Sequence, residues 1–85
     1  MKAYTQGGGT IVYNLVVDVC KPYLGDEADS FLSRQCVFHL RTAPKQIDRH
    51  DIPELARWAE ISGRLVLGKD KAKEMRIQIE SLLKR

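Results

Sequence analysis

Apolar residues recur at three- and four-residue steps along most of this chain, and four stretches keep that period well enough to predict helices. The first, TIVYNLVVDVCKPYL (residues 10–24), is the least clear-cut. Its β-branched residues Thr10, Ile11, Val12, Val16, Val17 and Val19 favour a strand. Val12, Val16, Val19, Cys20 and Tyr23 nevertheless fall on one helical stripe, and strict alternation is missing. The stretch is read as helix, with a strand as the alternative and Pro22 near its end. Ile11, Tyr13 and Leu15 do not follow the stripe. A helix that is apolar nearly all round is buried on more than one side, which makes these three residues candidates for an interface.

The second stretch, GDEADSFLSRQCVFHLRTA, opens on Asp26, Glu27 and Asp29, where the helix dipole favours negative charge. Ala28, Phe31, Leu32, Gln35, Cys36, His39 and Leu40 share one face. A connection, PKQIDRHD, begins at Pro44. The third, DIPELARWAEISGRLVLG, has the residues of a helix start: Asp51 as the cap, Pro53 in the first turn and Glu54 at capping-box spacing. Leu55, Trp58, Ala59, Ser62, Leu65 and Val66 are expected on its inner face, and Gly68 is a stop or hinge. In the fourth, KDKAKEMRIQIESLLKR, Ala72, Met75, Ile79, Leu82 and Leu83 form one stripe among Lys71, Lys73, Arg76 and Lys84. Ahead of all four, QGGG is too rich in glycine to favour a regular element. The expected organisation is a flexible leader over residues 1–9 and one all-α domain over residues 10–85. Short connections predict antiparallel neighbours in a small four-helix bundle.

Length then changes the picture. Eighty-five residues make one domain with a thin core, and two cysteines, Cys20 and Cys36, allow one bridge at most. A small domain without disulfide or metal staples commonly gains stability from a partner, so a protein partner or a homo-oligomer is expected. No long apolar run follows Lys2, so no signal peptide is read. No run approaches the ~18 apolar residues that span a membrane. These readings place the protein in the reducing cytoplasm. The net charge of +3 is unevenly spread: two basic against four acidic groups over residues 1–33, and eight against four over residues 57–85. Glu60, Asp70, Glu74 and Glu80 interrupt the basic tail, which reads as a solvated helix face rather than a nucleic-acid footprint.

Three kinds of chemistry are weighed against plain packing. Ala56, Ile61 and Val66 have spacings compatible with a degenerate helix-turn-helix over residues 54–69, with Arg64, Lys69 and Lys73 to meet DNA. Its turn would fall near Glu60, where no glycine stands, and its second helix holds no Asn or Gln for adenine. DNA binding is therefore the alternative and not the main reading. Cys20, Cys36, His39 and His50 supply zinc-ligand types, but C-x15-C-x2-H-x10-H matches no compact zinc motif. Nucleophiles and histidines are present without a nucleophile elbow or cysteine-protease signature, and QGGGT lacks the Lys-Ser/Thr of a phosphate loop. No enzyme, cofactor or metal site is expected. Trp58 suits a contact anchor.

The stretch PYLGDEADSFLSRQ resembles the short L-G-x-x-A helix–turn–helix of small helical accessory modules attached to bacterial signalling proteins. The resemblance covers residues 22–35 alone, with Asp26 where a proline usually follows the glycine, and carries over no site residue. It implies an accessory or oligomerisation role. Together with the apolar surplus, this makes a non-catalytic protein-interaction module the expected function.

Overall fold

The valine-rich first stretch is helical. In the computed structural model, which describes the backbone of residues 3–84 and the side chains of residues 11–84, helix α1 spans Ala3–Leu24. The leader expected over residues 1–9 lies at its start, where side chains fall outside the described residues. Helical period wins over β-branching here because it gives α1 a continuous inner face. Val16 and Cys20 are fully buried, with Tyr13 and Val17 beside them and Val12, Val19 and Tyr23 half-buried. Pro22 sits within the last turn. The helix ends two residues later at Leu24 and is followed by Gly25, whose φ of 61° is a left-handed conformation that glycine adopts without strain.

A 3-10 turn, Gly25–Glu27, leads into the short helix α2, Ala28–Gln35. Ala28, Phe31, Leu32 and Gln35 face inward. The helix then widens into a π-helical turn, Cys36–Leu40, and stops at Arg41, a non-glycine residue with φ 57°. The amide of Thr42 donates to the Cys36 carbonyl at 3.0 Å and closes this end. The wider turn breaks the expected inner face: Cys36 is buried, His39 is exposed and Leu40 is half-buried.

The connection contributes to the core. A 3-10 turn at Pro44–Gln46 packs against α1, and Ile47 is fully buried. A second 3-10 turn, Arg49–Asp51, runs directly into α3, Ile52–Leu67. The cap is therefore one turn earlier than expected. Asp48 accepts the His50 amide at 2.8 Å, and Asp51 returns its carboxylate to the Asp48 amide at 3.0 Å. Asp51 makes no cap bond to α3 itself. The pair is a capping box with aspartate in place of glutamate.

A single residue, Gly68 with φ 86°, separates α3 from α4, Lys69–Ser81. The two helices form a hairpin packed along its length. Their contact uses small residues on α3. Ala56, Ala59 and Gly63 are buried there, and a Cβ at Gly63 would meet the Met75 methyl at 3.0 Å. Ala72, Met75, Ile79 and Leu82 fill the other side. The inner face of α3 is therefore rotated from the expected one, and Trp58, Leu65 and Val66 are not in the core.

Among the described residues every regular element is helical, and the chain forms one compact domain with a radius of gyration of 12.1 Å. The all-α, single-domain expectation holds. The four-helix bundle does not: three long helices, α1, α3 and α4, make the frame, while α2 is eight residues long and too short to act as a fourth full member. Among the described residues no helix is long and apolar enough to cross a membrane.

Candidate functional site

Turning Ala56, Ala59 and Gly63 inward leaves the large residues of α3 on its outer side. Trp58, Ile61 and Leu65 are spaced i, i+3, i+7, so they line one face. Trp58 is half-buried, Ile61 is exposed and Leu65 is 93 % exposed. The π-helical turn extends this surface, with Phe38 67 % exposed beside an exposed Val37. His39 joins the two elements by stacking on Trp58, ring centroids 3.9 Å apart and planes 6° from parallel. The Trp58 indole N–H donates to the Glu54 carboxylate at 3.3 Å, and the Arg57 guanidinium lies 5.8 Å from the indole centre. Such a grouping of exposed apolar side chains is the usual mark of a contact surface.

Polar bonds fix the platform beneath it. Ser62 donates its hydroxyl to the Gln35 side-chain oxygen at 2.9 Å, and the Gln35 amide donates to the Phe31 carbonyl at 3.2 Å. Gln35 is nearly buried, so these bonds satisfy it and hold α2 against α3. On the opposite flank of α3, Glu60 takes the Arg76 guanidinium at 2.8 Å and that of Arg64 at 3.3 Å, and Arg76 also reaches Glu80 at 3.0 Å. The Arg76 bond, seconded by Arg64, holds the Glu60 carboxyl below its ordinary range.

The other candidate residues are scattered by comparison. Ile11 and Leu15 are exposed on the outer side of α1, as the sequence implied. Tyr13 is not: it turns inward, with its hydroxyl 2.8 Å from the Asp29 carbonyl oxygen and bonded to the Asp29 carboxylate. Burial first, and Asp29 second, raise its hydroxyl well above the ordinary tyrosine value. A cleft of 370 Å³ beside it is lined by Lys21 and Lys45 but equally by Asp26 and Asp29, so it favours neither sign of ligand.

The helix-turn-helix weighed as the alternative over residues 54–69 is not formed, because α3 runs unbroken through Glu60 and turns only at Gly68. Of its candidate DNA contacts, Arg64 is engaged by Glu60, while Lys69 and Lys73 are exposed on α4. Nor are the zinc-ligand types gathered. Cys20 and Cys36 are buried free thiols, His39 lies on Trp58, and the His50 side chain is exposed 3.4 Å from Asp48. Among the described residues no group of three or more His, Cys, Asp or Glu is placed to hold a metal ion. Burial pushes the Cys20 thiol from 9.0 up to about 12 and, with a lesser contribution from Asp51, Cys36 up to about 11. Thiols held protonated in this way are poor nucleophiles. Among family models, curated proteins and solved structures, none matches the chain.

The outward position of Trp58, Leu65 and Val66 is what sequence reasoning missed. The signal was present in the small residues Ala56, Ala59 and Gly63, which share a face at steps of three and four and mark a close helix–helix approach. Ile47, read as part of a connection, gave no periodic sign of burial.

Proposed function

We infer that the chain is a small, non-catalytic protein-interaction module, an accessory or oligomerisation domain of the kind its stretch over residues 22–35 resembles. The observation that carries this reading is the exposed apolar surface from Phe38 across Trp58 to Leu65. Burying an exposed leucine or phenylalanine is worth about 1.5–3 kcal/mol, and the fold leaves that gain unused. Ile11 and Leu15 on α1 add a second apolar site. Two unpaired buried thiols fit a reducing, cytoplasmic setting. DNA binding, the alternative, has little support: its motif would need a turn inside a continuous helix, and Arg64 is occupied.

Light scattering over a dilution series tests the reading, with Ile11→Glu, Leu15→Glu and Leu65→Glu as variants. Concentration-dependent mass, reduced by at least one variant whose thermal unfolding matches the parent, is the expected result. A monomer at every concentration, with all three variants as soluble and stable as the parent, counts against self-association. If such a protein also binds no peptide ligand, the interaction reading fails altogether.

A further inference from the structure

We propose that the surface shared by the π-helical turn and the outer side of α3 binds an acidic amphipathic helix of a partner protein. The inference rests on the interaction-module reading and names its surface and the partner's chemistry.

The shape argues for a helix. Trp58, Ile61 and Leu65 extend over two turns of α3, about 10 Å at 1.5 Å per residue, and the π-helical turn that carries the exposed Phe38 is joined to this face by His39 stacked on Trp58. A helix laid along this surface would meet it with apolar residues at i, i+3 or i+4 and i+7, the spacing by which helices dock into apolar grooves. The backbone is shaped to present it. The π-helical turn projects Val37 and Phe38 outward, and Arg41 takes a left-handed conformation that costs a non-glycine residue energy. The turn buries Cys36 at its start and leaves Val37 and Phe38 exposed, and single π turns in helices recur at functional sites.

The charge argues for an acidic partner. Arg34 lies one turn before Phe38, Arg41 ends the π-helical turn and Arg57 flanks Trp58; all three are exposed. None makes an ion pair among the described residues, whereas Arg64, seven residues along the same edge of α3 as Arg57, and Arg76 on α4 are both committed to Glu60. The carboxylate on this side, Glu54, already accepts the Trp58 N–H. An apolar strip rimmed by three unpaired arginines complements apolar anchors rimmed by carboxylates. Phosphate backbones are bound chiefly by their charge and would leave Phe38 and Leu65 in water. A second copy offering α1 would bring Ile11 and Leu15 but Asp18 as the lone carboxylate of that side chain cluster.

Two synthetic helical peptides of equal length test the proposal. Both carry leucine at i, i+4 and i+7 positions; one has glutamate at its remaining polar positions, the other lysine. Each is titrated into the full chain and followed by backbone amide NMR. The glutamate peptide is expected to bind at least about tenfold more tightly, with the largest shifts over residues 37–41 and 57–66. Leu65→Glu should weaken it about tenfold, and the double variant Arg34→Glu/Arg57→Glu should reverse the preference between peptides. Should that double variant not fold, salt gives the same answer in the parent: added salt must weaken the glutamate peptide. Equal affinity for both peptides, shifts centred on Ile11 and Leu15, salt-insensitive binding, or displacement of the peptide by random-sequence duplex DNA would each overturn the proposal. If neither peptide binds while the protein self-associates through α1, this inference falls and the interaction-module reading stands. If neither peptide binds and the protein is an inert monomer, both fall.

Discussion

The two sides of α3 invert the usual distribution of size. Beyond Ile52 and Leu55 its inner side carries Ala56, Ala59 and Gly63, whereas its outer side carries Trp58, Ile61 and Leu65. Helices of small domains normally turn their largest apolar residues to the core. Here small residues bring α4 close enough for Met75 to lie against Gly63. Dispersion from many close atomic contacts then substitutes for the volume of large side chains. The lesson is that apolar size and burial separate when two helices need a close approach. Large residues displaced outward by that packing are free for another purpose.

Ten residues apart on one helix, Leu55 and Leu65 allow this contrast to be broken with a single type of substitution. Leu55 is fully buried, so Leu55→Ala should cost about 2–5 kcal/mol in urea unfolding. A loss below about 1 kcal/mol would mean the inner side is not the packed one. The next effect concerns how α3 starts. Asp48→Ala removes the acceptor of the His50 amide and should cost about 0.5–2 kcal/mol. Asp51→Ala should cost less, since Asp51 supplies the reciprocal bond to Asp48 rather than a cap to α3. The reverse order would restore the helix start expected from sequence.

Glu60 lies at the border between the two sides and predicts a pH effect. Arg76 and Arg64 hold its folded-state carboxyl below the ordinary value of 4.5. The folded state thus binds the proton less readily than the unfolded chain. The stability this contributes is complete above about pH 4.5 and is lost as pH falls through the lower, folded-state value. Thermal midpoints of Glu60→Gln should start lower at neutral pH and fall less steeply than those of the parent below that point. Parallel curves would show that the Glu60–Arg76 pair adds nothing. The smallest effect is expected at the outer leucine: Leu65→Ala should alter stability by no more than about 0.5 kcal/mol.

The amphipathic period disclosed much of this fold. Ala72, Met75 and Ile79 of α4 and Leu82 just after it lie where their spacing placed them, and Val16 and Cys20 of α1 likewise. Misplaced residues share a cause. The inner face of α3 was assigned by following Trp58, Leu65 and Val66, because sequence periodicity weights large apolar residues and the approach distance of α4 is a tertiary property. The capping box was assigned to Asp51 and Glu54 because a 3-10 turn before a helix is invisible to a spacing rule, although Asp48 stands at the same spacing from Asp51. Tyr13 lay off the predicted stripe, yet its hydroxyl finds Asp29 sixteen residues away, a partner no local pattern announces. The candidate surface was only partly legible: Trp58 was named and Phe38 and Ile61 fell outside the predicted stripes, while Leu65 depended on the rotation of α3.

Trp58 is the single tryptophan and sits on the outer side of α3, so its emission reports directly on whether that side is a contact surface. The decisive measurement is Trp58 emission during titration with the glutamate peptide, in the parent and in Leu65→Glu. The account predicts a saturable blue shift in the parent, as the half-exposed indole loses water, and little or none in Leu65→Glu at an unchanged thermal midpoint. Unaltered emission in the parent, or an equal shift in Leu65→Glu, would contradict a docking role for the outer side of α3. A large fall in the midpoint of Leu65→Glu would contradict its separation from the core.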